Sequence, residues 1–191
     1  MKEQFLAYLR SAIELPAEEE KRVSAILKSA SLAKGSYFIR EGQVPRRFAF
    51  VGSGLFRYLY MDPSGREYTK NFVPEGQFLS AYSAMISSSP SHMFIEALED
   101  SEILEIDYGL WTRLQKGHPC WNTLLVQVLE RAFSVKEKRE RELLLLNAED
   151  RYRIFREEFP GLESRVRQHI IASYLGISPV SLSRIRKSRP R

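Results

Sequence analysis

The chain of 191 residues carries 29 Lys and Arg against 24 Asp and Glu, a net charge of +5, and its 43% hydrophobic content supports a packed core rather than a disordered chain. No apolar run approaches the roughly 20 residues needed to span a bilayer, and charges interrupt the opening MKEQFLAYLRSAIELP where a secretory leader would be apolar, so a cytoplasmic protein with no membrane partner is expected. The single Cys120 excludes an internal disulfide and cannot by itself hold an iron–sulfur cluster.

The first elements are helical. Phe5, Leu6, Leu9 and Ile13 recur at spacings of three and four, as do Val23, Ile26 and Leu27, which predicts helices over residues 4–15 and 17–30. From residue 31 to 106 the texture changes to short aromatic and β-branched runs (SYFIREG, RFAFVGSGLFRYLY, HMFIEALEDSEILEID) separated by turn residues, the pattern of a β-barrel or sandwich. Gly35, Gly42, Gly54, Gly65 and Gly76 fall at the predicted turns.

After Asp107 the pattern is helical again. Trp121, Leu125, Val128, Ala132, Val135, Arg139, Glu142 and Leu146 are spaced alternately by four and three, a heptad seam whose first half suits a homodimer and whose second half carries charge. The long helix is expected over about residues 119–146. Asn147 followed three residues later by Asp150 reads as a variant capping box, so residues 146–149 are the expected hinge between a body over 1–146 and a second domain over 147–191.

That second domain is basic. From residue 151 onward ten Lys and Arg stand against three Asp and Glu, whereas the first 150 residues carry nineteen against twenty-one. A cationic block on a near-neutral body is the footprint of a nucleic-acid-binding appendage. Within it Ile154, Phe155 and Phe159 mark one helix ended by Pro160-Gly161, and Ile170, Ile171 and Leu175 mark another over 167–175. Gly176 then makes a tight turn, Ser178 is an N-cap and Pro179 opens a last helix, whose Leu182 and Ile185 point inward. Pro179, Val180, Ser183, Arg184 and Lys187 are left outward, so IASYLGISPVSLSRIRK reads as a helix-turn-helix with a cationic outer face.

These residues resemble the Crp/Fnr family of bacterial transcription regulators, most specifically through IASYLGISPVSLSRIRK, and also through GSYFIREGQV with FAFVGSGLFRYLY as opening barrel strands and IEALEDSEILEID as a closing hairpin. The resemblance implies an α+β protein: a double-stranded β-helix (jelly-roll) sensor of the cyclic-nucleotide-binding type, a long dimerisation helix bearing Trp121, Leu125, Val128, Ala132 and Val135, and a winged-helix-type helix-turn-helix domain. PGLESRV would supply the minimal strand of such a wing. It implies a homodimer on double-stranded DNA, with RNA polymerase a further partner. DNA contacts are expected from Ser178, Pro179, Val180, Ser181, Ser183, Arg184, Arg186 and Lys187. Arg184 suits guanine O6 and N7, Val180 suits a thymine methyl, and Arg186, Lys187, Arg189 and Arg191 suit phosphates.

Two departures stand out. Cyclic-AMP-responsive members hold the ribose with Glu and the cyclic phosphate with Arg, but the matching positions here are Ser80-Ala81-Tyr82-Ser83 and Ser91-His92. A buried phosphate without a cation is costly, so cyclic AMP is not expected in the usual way; Phe78, Ser80, Ala81, Tyr82, Ser83, Ser91 and His92 remain the effector-pocket candidates, for an effector of unknown identity. The family's Arg-Glu pair at the start of the recognition helix is replaced by Pro179 and Val180, with Arg184 retained, so a different operator is expected. No cofactor, metal site or enzymatic activity is expected, since only one of three histidines lies in the barrel region. The alternative reading is a metabolite-binding signalling module whose basic end contacts a protein or a membrane.

Overall fold

Phe5, Leu6 and Leu9 put one buried face on the first helix, α1 (Lys2–Ala12), of a computed structural model that describes residues 1–188. Arg189 and Arg191, expected at DNA phosphates, lie outside the described residues. The second helix, α2 (Ala17–Ile26), ends earlier than its periodicity suggests, because Leu27–Leu32 leaves it as strand β1. Local spacing favours continuing the helix, but antiparallel pairing from Leu27 opposite Ile106 to Leu32 opposite Ser101 commits the segment to the sheet.

The strands that follow are β2 (Tyr37–Ile39), β3 (Arg47–Ser53), β4 (Phe56–Met61), β5 (Glu67–Val73), β6 (Phe78–Leu79), β7 (Phe94–Ala97) and β8 (Ser101–Asp107), with a short helix α3 (Tyr82–Ile86) before β7. They form two four-stranded sheets, ordered β1-β8-β3-β6 and β2-β7-β4-β5. Inward residues of both sheets share one core: Ala49, Val51, Leu79 and Ile103 from the first meet Phe38, Phe56, Val73, Ile95 and Ala97 from the second. This is a jelly-roll-like barrel.

The expected closing hairpin is a correction. Strand β7 pairs with β2 and β4, and β8 pairs with β1 and β3, so the chain between them changes sheet instead of turning back on itself. Between β3 and β4 it changes sheet again, at Gly54. There φ is +97° and a Cβ would stand 2.1 Å from the Ser101 hydroxyl oxygen, so only glycine fits the corner.

The outer face of the first sheet is covered. Phe50, Leu104 and Ile106 pack with Phe5, Leu9 and Val23, with Trp111 of α4 (Tyr108–Gly117), and with Trp121 and Leu124 of α5 (Cys120–Leu145). Burial on both faces explains the continuous apolar run Phe48–Val51 in β3. Trp121 is fully buried here, its indole N–H donating to Glu19 at 2.7 Å, and is therefore committed to its own chain's core and not to a dimer seam.

The remaining elements are α6 (Ala148–Glu158), α7 (Leu162–Arg165), α8 (Gln168–Leu175) and α9 (Pro179–Ser188). PGLESRV, expected to supply a strand, forms α7 instead: Gly161 adopts φ +79° and the segment coils into a single helical turn closed by Val166 N–H to Leu162. Two compact units result, Met1–Tyr60 with Asn71–Leu129, and Met61–Lys70 with Glu130–Arg191. The division falls inside α5 and not at 146–147, because Lys138 and Arg139 of α5 bind the helices that follow.

Candidate nucleic-acid interface

Two short helices and the turn between them define the candidate surface. Leu175 is followed by Gly176 at φ +67°, and Gly176 N–H donates to Ser173 while Ile177 N–H donates to Ala172, the paired bonds of a Schellman stop. Ser178 then caps α9, its hydroxyl accepting from Ser181 N–H at 3.1 Å. Ala172 is fully buried, as a close helix approach requires, and Leu182 and Ile185 turn inward.

The outer face is correspondingly open. Ser178, Pro179, Arg184 and Lys187 are exposed, Val180 is 61% exposed, and Ser181 and Ser183 are half-buried. Among the described residues no carboxylate lies within ion-pair distance of Arg184 or Lys187. Arg186 differs: its Nε is 3.7 Å from Glu163 of α7. Glu163 also accepts from the Tyr152 hydroxyl at 2.6 Å and stands 3.3 Å from Arg156 Nε. Burial pushes the Tyr152 phenol up to about 12, and the bond to Glu163 adds to the shift.

The last residues of α8 are gripped from three directions. The Ser173 hydroxyl donates to the Glu67 carbonyl at 2.9 Å and accepts from Thr69 N–H at 2.9 Å, filling the place of a ladder partner on strand β5. Arg139 donates to the Tyr174 carbonyl and lies 3.8 Å from the centroid of the Tyr174 ring. Burial works against the charge of Arg139 and pushes the Tyr174 phenol up to about 12. Arg151 spans two helix ends, donating to Leu175 at 3.0 Å and to Leu146 at 2.6 Å. Asn147 caps α6 as expected, accepting from Asp150 N–H at 3.0 Å. The stretch expected to be a hinge is thus a capped and tied corner.

In the barrel, the seven effector-pocket candidates do not converge. Phe78 turns outward into the ring cluster of Phe5, Tyr8, Phe48 and Phe50. Ala81 is fully buried core, and Ser83 and His92 are exposed. The Ser91 hydroxyl is closed on its own backbone, donating to Met93 O at 2.9 Å and accepting from Met93 N–H at 3.2 Å. Ser80 donates its N–H to the Tyr58 hydroxyl at 3.0 Å, while its own buried hydroxyl has no partner among the described residues. Tyr82 is half-buried, and burial raises its phenol.

Residues 30–118 match the cyclic nucleotide-binding domain. Solved structures agree along most of the chain. FixK2 from Bradyrhizobium japonicum superposes with a TM-score of 0.75 at 18% identity, covering 85% of this chain and 84% of its own. The c-di-GMP-responsive global regulator CLP of Xanthomonas campestris gives 0.72 at 17% identity over 91% of both chains. A putative Crp/Fnr-family transcriptional regulator from Eubacterium rectale gives 0.71 at 16% identity, covering 91% of this chain and 83% of its own. At these identities the likeness is one of fold. No curated protein matches the chain.

Set against a cyclic nucleotide-binding domain, the barrel has no Lys or Arg among its seven candidate residues. The buried arginine of the barrel, Arg57, is held by Glu96 on the opposing strand, with Nε 2.6 Å from the carboxylate. Sequence reading passed over the start of α8, where Arg167, Gln168 and His169 are exposed in a row. Their signal was positional: they precede the first inward residue of a helix that ends in the Gly176 turn. No helix among the described residues is long and apolar enough to cross a membrane.

Proposed function

We propose that the chain is a homodimeric, sequence-specific DNA-binding transcription regulator of Crp/Fnr type, acting in the cytoplasm, with α8 and α9 as its helix-turn-helix. The observation that carries this reading is the outer face of α9, where Val180, Arg184 and Lys187 stand open beside buried Leu182 and Ile185. A recognition helix needs such a face: Arg184 offers two parallel donors to guanine, Val180 an apolar contact to a thymine methyl, and Lys187 a phosphate contact. Arg167 and His169 at the start of α8 fit the backbone-crossing role of the first helix.

Dimerisation would use α5. With Trp121 committed inward, its apolar contribution comes from half-buried Leu125 and Val128, exposed Ala132, and Val126, Phe133 and Val135, which are 52%, 65% and 47% exposed. Two recognition helices would then address half-sites about 34 Å apart, one helical turn. RNA polymerase is the partner such a regulator would meet on DNA.

Selection from random duplex DNA by the purified protein, without added ligand and at moderate salt, tests the reading. A two-fold-symmetric motif with half-sites one turn apart is expected. Retention that depends on salt but enriches no motif, or binding to anionic vesicles in preference to DNA, would favour the signalling-module alternative.

A further inference from the structure

Glu163 is one of three carboxylates after residue 150. The other two are engaged away from α9: Glu157 pairs with Arg153 on its own helix at 3.2 Å, and Glu158 pairs with Lys138 of α5. Among the described residues Glu163 alone reaches the candidate reading helix, 3.7 Å from Arg186 Nε, and it is held there by the Tyr152 hydroxyl at 2.6 Å and by Arg156 Nε at 3.3 Å. Arg186 and Glu163 retain 36% and 24% of their side-chain exposure, so the pair is open to exchange. An ion pair of this exposure is weak enough for a competing anion to replace.

We propose that Glu163 acts as a built-in stand-in for a DNA phosphate, holding Arg186 so that one cation of the reading unit is withheld from non-specific backbone binding. This rests on the DNA-binding reading and assigns α7 a role in specificity. Among the described residues, Arg184 and Lys187 lack such a partner and remain available. The consequence is selective: a weakly docked duplex meets a neutralised Arg186, and only a duplex seated on α9 brings a phosphate close enough to displace the carboxylate. The ratio of specific to random binding rises, because random binding is almost wholly phosphate neutralisation.

The test is a salt titration of full-length protein binding to random-sequence duplex DNA, followed by fluorescence anisotropy. Glu163→Gln, which keeps an acceptor for Tyr152, is expected to bind random DNA about 3–5-fold more tightly at about 100 mM salt, with the log–log salt slope steeper by about 0.9. Glu157→Gln removes the same charge from α6 and is expected to change little. In an Arg186→Gln background the gain from Glu163→Gln is expected to fall by at least about half, the signature of a coupled pair. Should Glu163→Gln not fold, Arg186→Gln against Lys187→Gln decides the matter, since loss of Lys187, which Glu163 does not hold, is expected to cost at least about twice as much affinity. Equal gains for Glu163→Gln and Glu157→Gln, an undiminished gain without Arg186, or equal losses at Arg186 and Lys187 would overturn the proposal while leaving DNA binding intact. Absence of any salt-sensitive DNA binding by the unsubstituted protein would overturn both.

Discussion

Ser173 shows how much a single hydroxyl decides. In the sequence it is one small polar residue between Ala172 and Tyr174, with nothing local to suggest a partner about a hundred positions away. In the structure it serves the Glu67 carbonyl and the Thr69 N–H at once. Replacing it with alanine removes both bonds beside Thr69, which is only 5% exposed, and a loss of about 1–3 kcal/mol is expected in urea unfolding, with faster amide exchange at Thr69. A full-strength amide protection at Thr69 in that variant would show that the hydroxyl is incidental. Tyr58 carries a pH signature at the same scale. Burial pushes its phenol up to about 12, against an ordinary value near 10 in the unfolded chain. Its contribution to stability is therefore complete below about pH 10 and is lost as pH rises toward 12, since the unfolded tyrosine ionises first. Tyr58→Phe is expected to flatten the fall of stability with pH in that window, measured by denaturant melts at successive pH values.

Among elements, the turns were the most legible and the element ends the least. Gly176 was readable because a Schellman stop needs a left-handed residue between two apolar-periodic segments, and its φ of +67° bears this out. Gly176→Ala is expected to cost about 1–2 kcal/mol from backbone strain alone, because its Cβ would stand in ordinary contact, 3.5 Å from Leu143. Gly54→Ala combines a left-handed φ with a collision at 2.1 Å and is expected to cost more, about 2–4 kcal/mol, in the same thermal or denaturant melt. If the two glycines proved equally tolerant, the corner packing at Ser101 would not be the constraint it is argued to be. Helix α2 and strand β1 were less legible: Leu27 fits a helical spacing and a strand alternation alike, and only the presence of β8 opposite it settles which applies. PGLESRV failed for a similar reason, since a four-residue segment carries too few positions for a period to show.

For the molecule as a whole, the distribution of charge carries the functional reading. The asymmetry between a near-neutral body and a basic end, visible in composition, leads to the DNA reading and to its salt dependence. Assembly is where sequence periodicity needed correction. The heptad seam begins at Trp121, which its own chain buries, and the apolar surface left on α5 centres on residues such as Phe133 at 65% exposure. If α5 carries the proposed dimer, Phe133→Glu is expected to leave the fold intact and to shift sedimentation from dimer toward monomer at micromolar protein. An unchanged dimer would place the interface elsewhere.

What the sequence determined by itself follows from local rules: helix periodicity along α1, α5 and α8, left-handed glycines at turns, an N-cap at Ser178, and the sign of the charge at the end of the chain. Those depend on neighbours within a few residues, which a sequence displays directly. The tertiary structure decided the sheet partners, since β7 and β8 read as one hairpin and lie in two sheets. It also decided the fate of individual polar groups. Ser91 turned onto its own backbone, Arg186 turned to Glu163, and Arg151 tied Leu146 to Leu175. Outside the fixed spacings of helix caps, a hydrogen bond or an ion pair needs only a few ångströms of space and no particular separation along the chain, so no spacing in the sequence encodes it.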